Sequence, residues 1–257
     1  MSIPFVQPVG NFVRETGRIG LFCREIVHAA TRRPFFGGEL TTSMRRIAFQ
    51  CLLPVVAVVG PTGMVMALQS LKIFDSFGLQ RLLSSLLAEA MFRELSPTLT
   101  AIMIAAQAGS SIAGELGTMR VQEEIDALGV MGINPFQFLI IPRMLALALM
   151  CPLINAMACF SGMAGGFLVA VFLKGLNAGV FWANMLNFLT LSHIWSGVLK
   201  ASIFGIVVGI IACYKGYNVT GGALGVGRAA NETVVHSILL IVVLNYFLTS
   251  FLLVALG

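Results

Sequence analysis

Apolar residues run along this chain in stretches far longer than the core face of a soluble helix needs, with short polar segments between them. A membrane-spanning helix takes about 20 predominantly apolar residues. Five segments reach that length: roughly Ile47 to Leu71, from Gln80 towards Leu116, Phe136 to Leu173, Ile194 to Cys213, and Val234 to Leu256. Pro54, Gly60, Pro61 and Gly63 interrupt the first, and Glu89, Arg93 and Glu94 sit inside the first half of the second. The third is too long for one straight perpendicular span, so it must tilt, break near Pro152 or project into water. Ahead of these, residues 11–33 place Phe12, Val13, Ile19, Phe22, Cys23, Ile26 and Val27 close to a helical period, with Arg14, Arg18, Arg24 and Glu25 on the other side. A basic amphipathic helix without a spanning-length apolar run lies in the membrane interface, packs on the protein's own spans, or does both. The pattern predicts an all-α integral membrane protein of about five transmembrane helices preceded by an N-terminal amphipathic interfacial helix. It divides the chain into an interfacial region over 1–46 and a transmembrane domain over 47–257.

Composition narrows the class. Hydrophobic residues make up 58% of the 257 and charged residues 11%, about half the charged share of a soluble domain. Mean hydropathy is +0.93. Sixteen basic and 11 acidic side chains cannot clothe a soluble surface, which excludes a soluble enzyme, a disordered chain and a nucleic-acid binder. The net charge of +5 follows the membrane rather than a polyanion. Arg14, Arg18, Arg24, Arg32, Arg33, Arg45 and Arg46 precede the first span, and an inside N-terminus adds Arg120, Arg143, Lys215 and Arg228 to the same side. The opposite side holds only Lys72, Arg81 and Lys174, so the positive-inside rule predicts N-in, C-out. No cleavable signal peptide is expected, because arginines run through any would-be apolar core of the first thirty residues. Cys23, Cys51, Cys151, Cys159 and Cys213 show no metal-ligand spacing and read as small hydrophobes.

An odd number of spans without an internal repeat argues against the paired repeats of secondary transporters. A two-fold homodimer is the simplest way for such a chain to enclose a central pathway. Ser110/Gly114, Gly162/Gly166 and Gly205/Gly209 have the spacing of close helix contacts.

Charges at membrane depth cost several kcal/mol, of order 2.5–3.5 each on insertion scales, and so mark functional candidates. Arg93 and Glu94 head a long apolar helix, and on a helix neighbours point about 100° apart, so each seeks its own partner. Lys200 in the fourth span and Asn245 in the fifth are further polar candidates. Between the second and third spans, the polar segment 117–135 reads as a short amphipathic helix over about 118–132. Thr118 is its candidate cap, and Val121, Ile125 and Leu128 share one face. Glu123, Glu124 and Asp126 disfavour an anionic leaflet, so this helix is expected to dock on a cytoplasmic protein partner. The Gly-rich run 216–227 is no phosphate loop, since no Gly-Lys-Ser/Thr occurs and no strand precedes it. His28, His193 and His236 are scattered, and neither HExxH nor GxSxG is present, so no catalytic or metal site is expected.

Longer blocks carry a resemblance. Arg93-Glu-Leu-Ser-Pro97, the run from Ala108 through Gly117-Thr-Met-Arg120 to Leu128, Asn134-Pro135, Pro142-Arg143, Thr220-Gly-Gly-Ala-Leu-Gly-Val-Gly-Arg228 and Thr233-Val-Val-His-Ser237 resemble an MlaE-type (YrbE-like) permease from about residue 10 onward. The resemblance implies the permease domain of an ABC transporter in the bacterial inner membrane, moving phospholipid between inner and outer membranes and maintaining outer-membrane lipid asymmetry. It implies a homodimer, a cytoplasmic ABC ATPase dimer that holds the ATP and Mg, and a periplasmic hexameric MCE-domain protein. Some complexes of the family add a STAS-domain protein. The chain itself would bind no cofactor and be no enzyme. By the family's pattern, Glu123, Glu124, Ile125, Asp126 and Leu128 couple to the ATPase. The lipid pocket and its polar cluster fall on Phe74, Phe77, Arg93, Glu94, Leu95, Lys200 and Asn245. The chain departs from the family at Asn245, where an acidic residue is frequent, at Gln107, where arginine is common, and at Ser96, usually glycine. Asn245 is expected to deprive Lys200 or Arg93 of an ionic partner. Two other function classes compete: an ion-coupled carrier using Glu94 and Lys200, and a passive membrane anchor for an MCE assembly.

Overall fold

A computed structural model describes residues 6–30, 37–78 and 82–256. Arg32, Arg33, Gln80 and Arg81, and the side chains of Phe12, Val13 and Arg14, lie outside what it describes. The regular elements among the described residues are all helical. They are α1 (Val6–Ala30), α2 (Gly37–Phe77), α3 (Leu83–Val121), α4 (Glu124–Val130), α5 (Phe136–Leu173), α6 (Ala178–Phe188), α7 (Leu191–Tyr217) and α8 (Gly222–Leu256). Helices α2, α3, α5, α7 and α8 are long and apolar enough to cross a membrane, at the five places the hydropathy pattern marks.

Their ends extend beyond the apolar runs. The 41 residues of α2 amount to about 60 Å, twice the hydrocarbon core of a bilayer, so its polar first turns must project. Pro54, Pro61 and Pro152 all lie inside continuous helix, so the long third segment does not break at Pro152. Beside Pro61, Thr62 donates to the Val58 carbonyl at 2.8 Å and Ser161 reaches across from α5 to the Val56 carbonyl at 3.1 Å. Helix α7 runs to Tyr217 and α8 starts at Gly222, so most of the Gly-rich run over 216–227 is helical. The short helix α6 was not foreseen; Asn177 caps it, its Oδ1 accepting from the backbone N–H groups of Gly179 at 2.8 Å and Val180 at 3.3 Å.

Hydrocarbon gives spans no hydrophobic drive to associate, so they hold together by close packing and polar contacts. The most extensive contact joins α2 to α5, where glycines meet backbone to backbone. A Cβ on Gly63 would overlap the Gly162 carbonyl, and one on Gly165 the Gly60 carbonyl. Gly205 lies in the same way against the Leu147 carbonyl of α5. Gly114 faces open space within the chain, so the Ser110/Gly114 pair makes no such crossing here.

Helix α1 seats Phe22, Ile26 and Ala29 on the bundle. The Phe22 ring meets Phe136 at 5.4 Å, Tyr214 at 5.5 Å and Tyr217 at 6.0 Å, and Gln137 donates to the Ala29 carbonyl at 3.2 Å. Arg18, Arg24 and Glu25 stay exposed, as do the apolar Leu21 and Val27. Burial pushes the Cys23 thiol in this helix above its ordinary pKa, and the other four cysteines are buried, in keeping with small hydrophobes.

The α2–α5 crossing predicts that Gly63→Ala destabilises the protein by about 1–3 kcal/mol, since the clash is with backbone and cannot be relieved by a rotamer. Gly227→Ala in α8, where a Cβ meets nothing within 4 Å, should cost nothing and stabilise by up to about 1 kcal/mol. Denaturation midpoints of the two variants in detergent check the difference.

Candidate functional site

The site begins with a missing proton. An α-helical carbonyl accepts from the N–H four residues on, and for Arg93 that residue is Pro97, which has none. The helix widens into a π turn over Met91–Leu95 just before it, and Pro97 lies in the first turn of the α-helical stretch that starts at Ser96. Helix α7 supplies the absent donor: Lys200 Nζ lies 3.0 Å from the Arg93 carbonyl oxygen. The approach depends on Gly197, where a Cβ would collide with the Phe92 carbonyl.

Lys200 is wholly buried, and its three N–H donors meet three oxygens. Besides Arg93, they reach Glu94 Oε1 at 2.8 Å and Thr249 Oγ1 at 2.7 Å. Glu94 in turn accepts from the Thr249 hydroxyl, at 2.9 Å and 3.2 Å to its two oxygens, and from Asn245 Nδ2 at 3.2 Å. Thus α3, α7 and α8 converge on one carboxylate. Asn245 does not leave Lys200 without an ionic partner, because Glu94 is that partner and Asn245 donates to it. Thr249 was absent from the residues expected by sequence. Its signal was its place four residues after Asn245, on the same face of the last span.

A cleft of about 370 Å³ opens beside this node, lined by Leu86, Glu89, Ala90, Arg93, Glu94, Thr249 and Leu253. Glu94 is about one-third exposed to it, and Lys200 lies behind. The Arg93 guanidinium turns away from the node to Glu89, one helical turn back, at 3.6 Å. Leu95 packs on the core. Phe74 is half-buried near the end of α2, whereas Phe77, at that end, is 72% exposed. The structure therefore brings Glu94, Lys200 and Asn245 together, with Arg93 joining them through its backbone carbonyl, and leaves Phe77 projecting from the single chain.

At the other end of the bundle, the connection between α3 and α5 differs from the expected helix over 118–132. Thr118 and Val121 belong to α3, and Thr118 Oγ1 donates to the Gly114 carbonyl at 2.9 Å rather than capping anything. Glu123 takes a left-handed conformation (φ 61°) that turns the chain, and α4 covers only Glu124–Val130. Ile125 is buried and Leu128 half-buried, while Glu123, Glu124 and Asp126 face outward. Arg120 fixes this corner by pairing with Asp126 at 2.6 Å and lying over the Tyr217 ring at 5.8 Å. Nearby, Glu115 accepts from Arg46 of α2 at 2.5 Å and from Arg143 of α5 at 3.4 Å.

Removing one member of the buried pair strands the other. Lys200→Met should cost about 1–3 kcal/mol, and adding Glu94→Gln should restore part of it. Unfolding midpoints of the two single variants and the double variant check the coupling; simple additivity would contradict it.

Comparison with known proteins identifies relatives of this chain. A family model described as Permease MlaE matches residues 40–251. A probable ABC transporter permease protein of Rickettsia felis is 34% identical over 96% of this chain and 93% of its own length. The intermembrane phospholipid transport system permease protein MlaE of Haemophilus influenzae is 32% identical over 97% of this chain and 98% of its own. The chloroplastic protein trigalactosyldiacylglycerol 1 of Arabidopsis thaliana is 36% identical, over 78% of this chain and 56% of its own. With five membrane-spanning-capable helices and this match over most of its length, the chain is a multi-pass membrane protein of the MlaE permease family.

Proposed function

We propose that this chain is the permease subunit of an ABC transporter that moves phospholipid between the bacterial inner and outer membranes and so maintains outer-membrane lipid asymmetry. It sits in the inner membrane as a homodimer, with its N-terminus inside and its C-terminus outside. A cytoplasmic ATPase dimer supplies the energy, and a hexameric MCE-domain protein receives or delivers lipid on the periplasmic side. The observation that carries this reading is the cleft beside Glu94, which sets Leu86, Ala90 and Leu253 next to charged side chains within a span. Apolar walls for acyl chains and a few convergent polar groups are what a two-tailed lipid requires. The name of the Haemophilus relative supplies the lipid class.

Helix α4 is the ATPase contact in this scheme. Ile125 anchors it, Glu123 and Glu124 point outward, and Val130 and Met131 are 90% and 65% exposed. Rigid-body movement of the ATPase dimer would reach the spans through this corner. Val130→Asp should therefore abolish recovery of the ATPase on an N-terminal tag while leaving the permease folded, as judged by its elution in mild detergent.

Purification from native membranes, with mass spectrometry of bound proteins and lipids, tests the assignment. Recovery of an ATPase, an MCE-domain protein and phospholipid is the expected result. In proteoliposomes, phospholipid transfer should need ATP and fall at least about tenfold in Glu94→Ala, the scale of losing charge-assisted hydrogen bonds. Transport that persists without ATP and collapses with the proton gradient would replace this reading by an ion-coupled carrier. Undiminished transfer in Glu94→Ala would point instead to a passive anchor.

A further inference from the structure

Glu89 is a carboxylate inside a span that neither the buried node nor the α4 corner uses. A charge there is costly unless something answers it, and its one ion pair among the described residues is long: 3.6 Å to Arg93, beyond hydrogen-bond reach. Both groups line the cleft, with Glu89 about 40% and Arg93 about 16% exposed. Glu94 lines it too, but its charge is already met from behind by Lys200. What the cleft presents to an occupant is thus an unsaturated pair, one negative and one positive, a helical turn apart. Leu86, Ala90 and Leu253 form the apolar walls around it.

From this geometry we infer that the cleft selects a zwitterionic phospholipid headgroup, with Arg93 taking the phosphate and Glu89 the ammonium of phosphatidylethanolamine. A phosphate and an ammonium separated by two methylenes match two side chains at i and i+4, whose Cβ atoms lie about 5–6 Å apart. Charge-assisted hydrogen bonds at both ends replace the long Glu89–Arg93 contact. Phosphatidylglycerol offers Arg93 the same phosphate but sets an uncharged polyol against the Glu89 carboxylate. Discrimination of this kind comes as much from the group that the wrong headgroup leaves unpaired as from the hydrogen bond that the right one forms. The inference deepens the lipid-transport reading and rests on it.

The test uses the complete transporter in nanodiscs of equal phosphatidylethanolamine and phosphatidylglycerol, with protein-bound lipid extracted and its headgroup ratio measured. The native protein should enrich phosphatidylethanolamine over the disc composition. Glu89→Gln should lower that ratio about tenfold, the loss of one charge-assisted hydrogen bond, and Glu89→Lys should reverse it. Soluble glycerophosphoethanolamine, which has the headgroup without the chains, should fail to displace bound lipid; displacement would show a free phosphoester site instead. Bound lipid at disc composition in the native protein, or a ratio unmoved by both substitutions while total lipid stays constant, would overturn the headgroup assignment and leave lipid transport standing. Absence of bound phospholipid from native protein and variants alike would overturn the transport reading itself.

Discussion

An ammonium group in the interior of a membrane protein has no water to fall back on, and the packing of the spans around Lys200 follows from that constraint. Each of its three protons needs an oxygen, and the oxygens come from a helix carbonyl, a carboxylate and a hydroxyl on two other helices. Because those acceptors are fixed in direction, the rotation and depth of α7 against α3 and α8 are fixed as well. Apolar packing alone could not do this, since a leucine face against a leucine face is nearly indifferent to small rotations and to exchange with lipid. The remaining polar contacts within the bundle act in the same way. Ser96, for instance, ties α3 to α5 by donating to Asn155 Oδ1 at 2.7 Å in a fully buried position.

The two ends of the bundle are held by different physics. At the α4 end, Arg46, Glu115 and Arg143 are partly open to solvent, so screening and side-chain entropy leave their ion pairs with little net worth. What holds that end is aromatic: Phe22, Phe136, Tyr214 and Tyr217 form a cluster that joins α1 to the start of α5 and the end of α7. Toward the other end, the buried node makes the polar connection, and α6 sets its Phe181 and Trp182 rings against Phe167 of α5. Adaptable ion pairs therefore lie next to the corner where a partner is proposed to act, and the rigid network lies next to the cleft.

Much of this was legible in the sequence because membrane solubility leaves a coarse, strong signal. Five apolar runs marked five spans, and charges embedded in them marked Arg93, Glu94 and Lys200, since the cost of burying a charge rarely goes unanswered. Helix ends were less legible. Thr118 looked like a cap because polar residues cluster around it, yet the helix runs on past it to the left-handed turn at Glu123, and a conformation of that kind has no dependable side-chain signature at a glutamate. Partnerships were hidden altogether. Nothing local to Asn245 shows that Glu94, 151 residues away, lies beside it, and Thr249 reads as an ordinary helical threonine until the ammonium appears next to it.

Pro97 ties the geometry of the site to a position far away in the sequence. In an α-helical register any other residue at that position would offer an N–H to the Arg93 carbonyl, and the helix could reclaim from within what α7 now provides. Lys200 would then hold one acceptor fewer, and a neutral side chain of similar length would be correspondingly less disadvantageous there. The imino acid and the lysine are thus bound to one another across a long stretch of sequence, although their side chains need never touch.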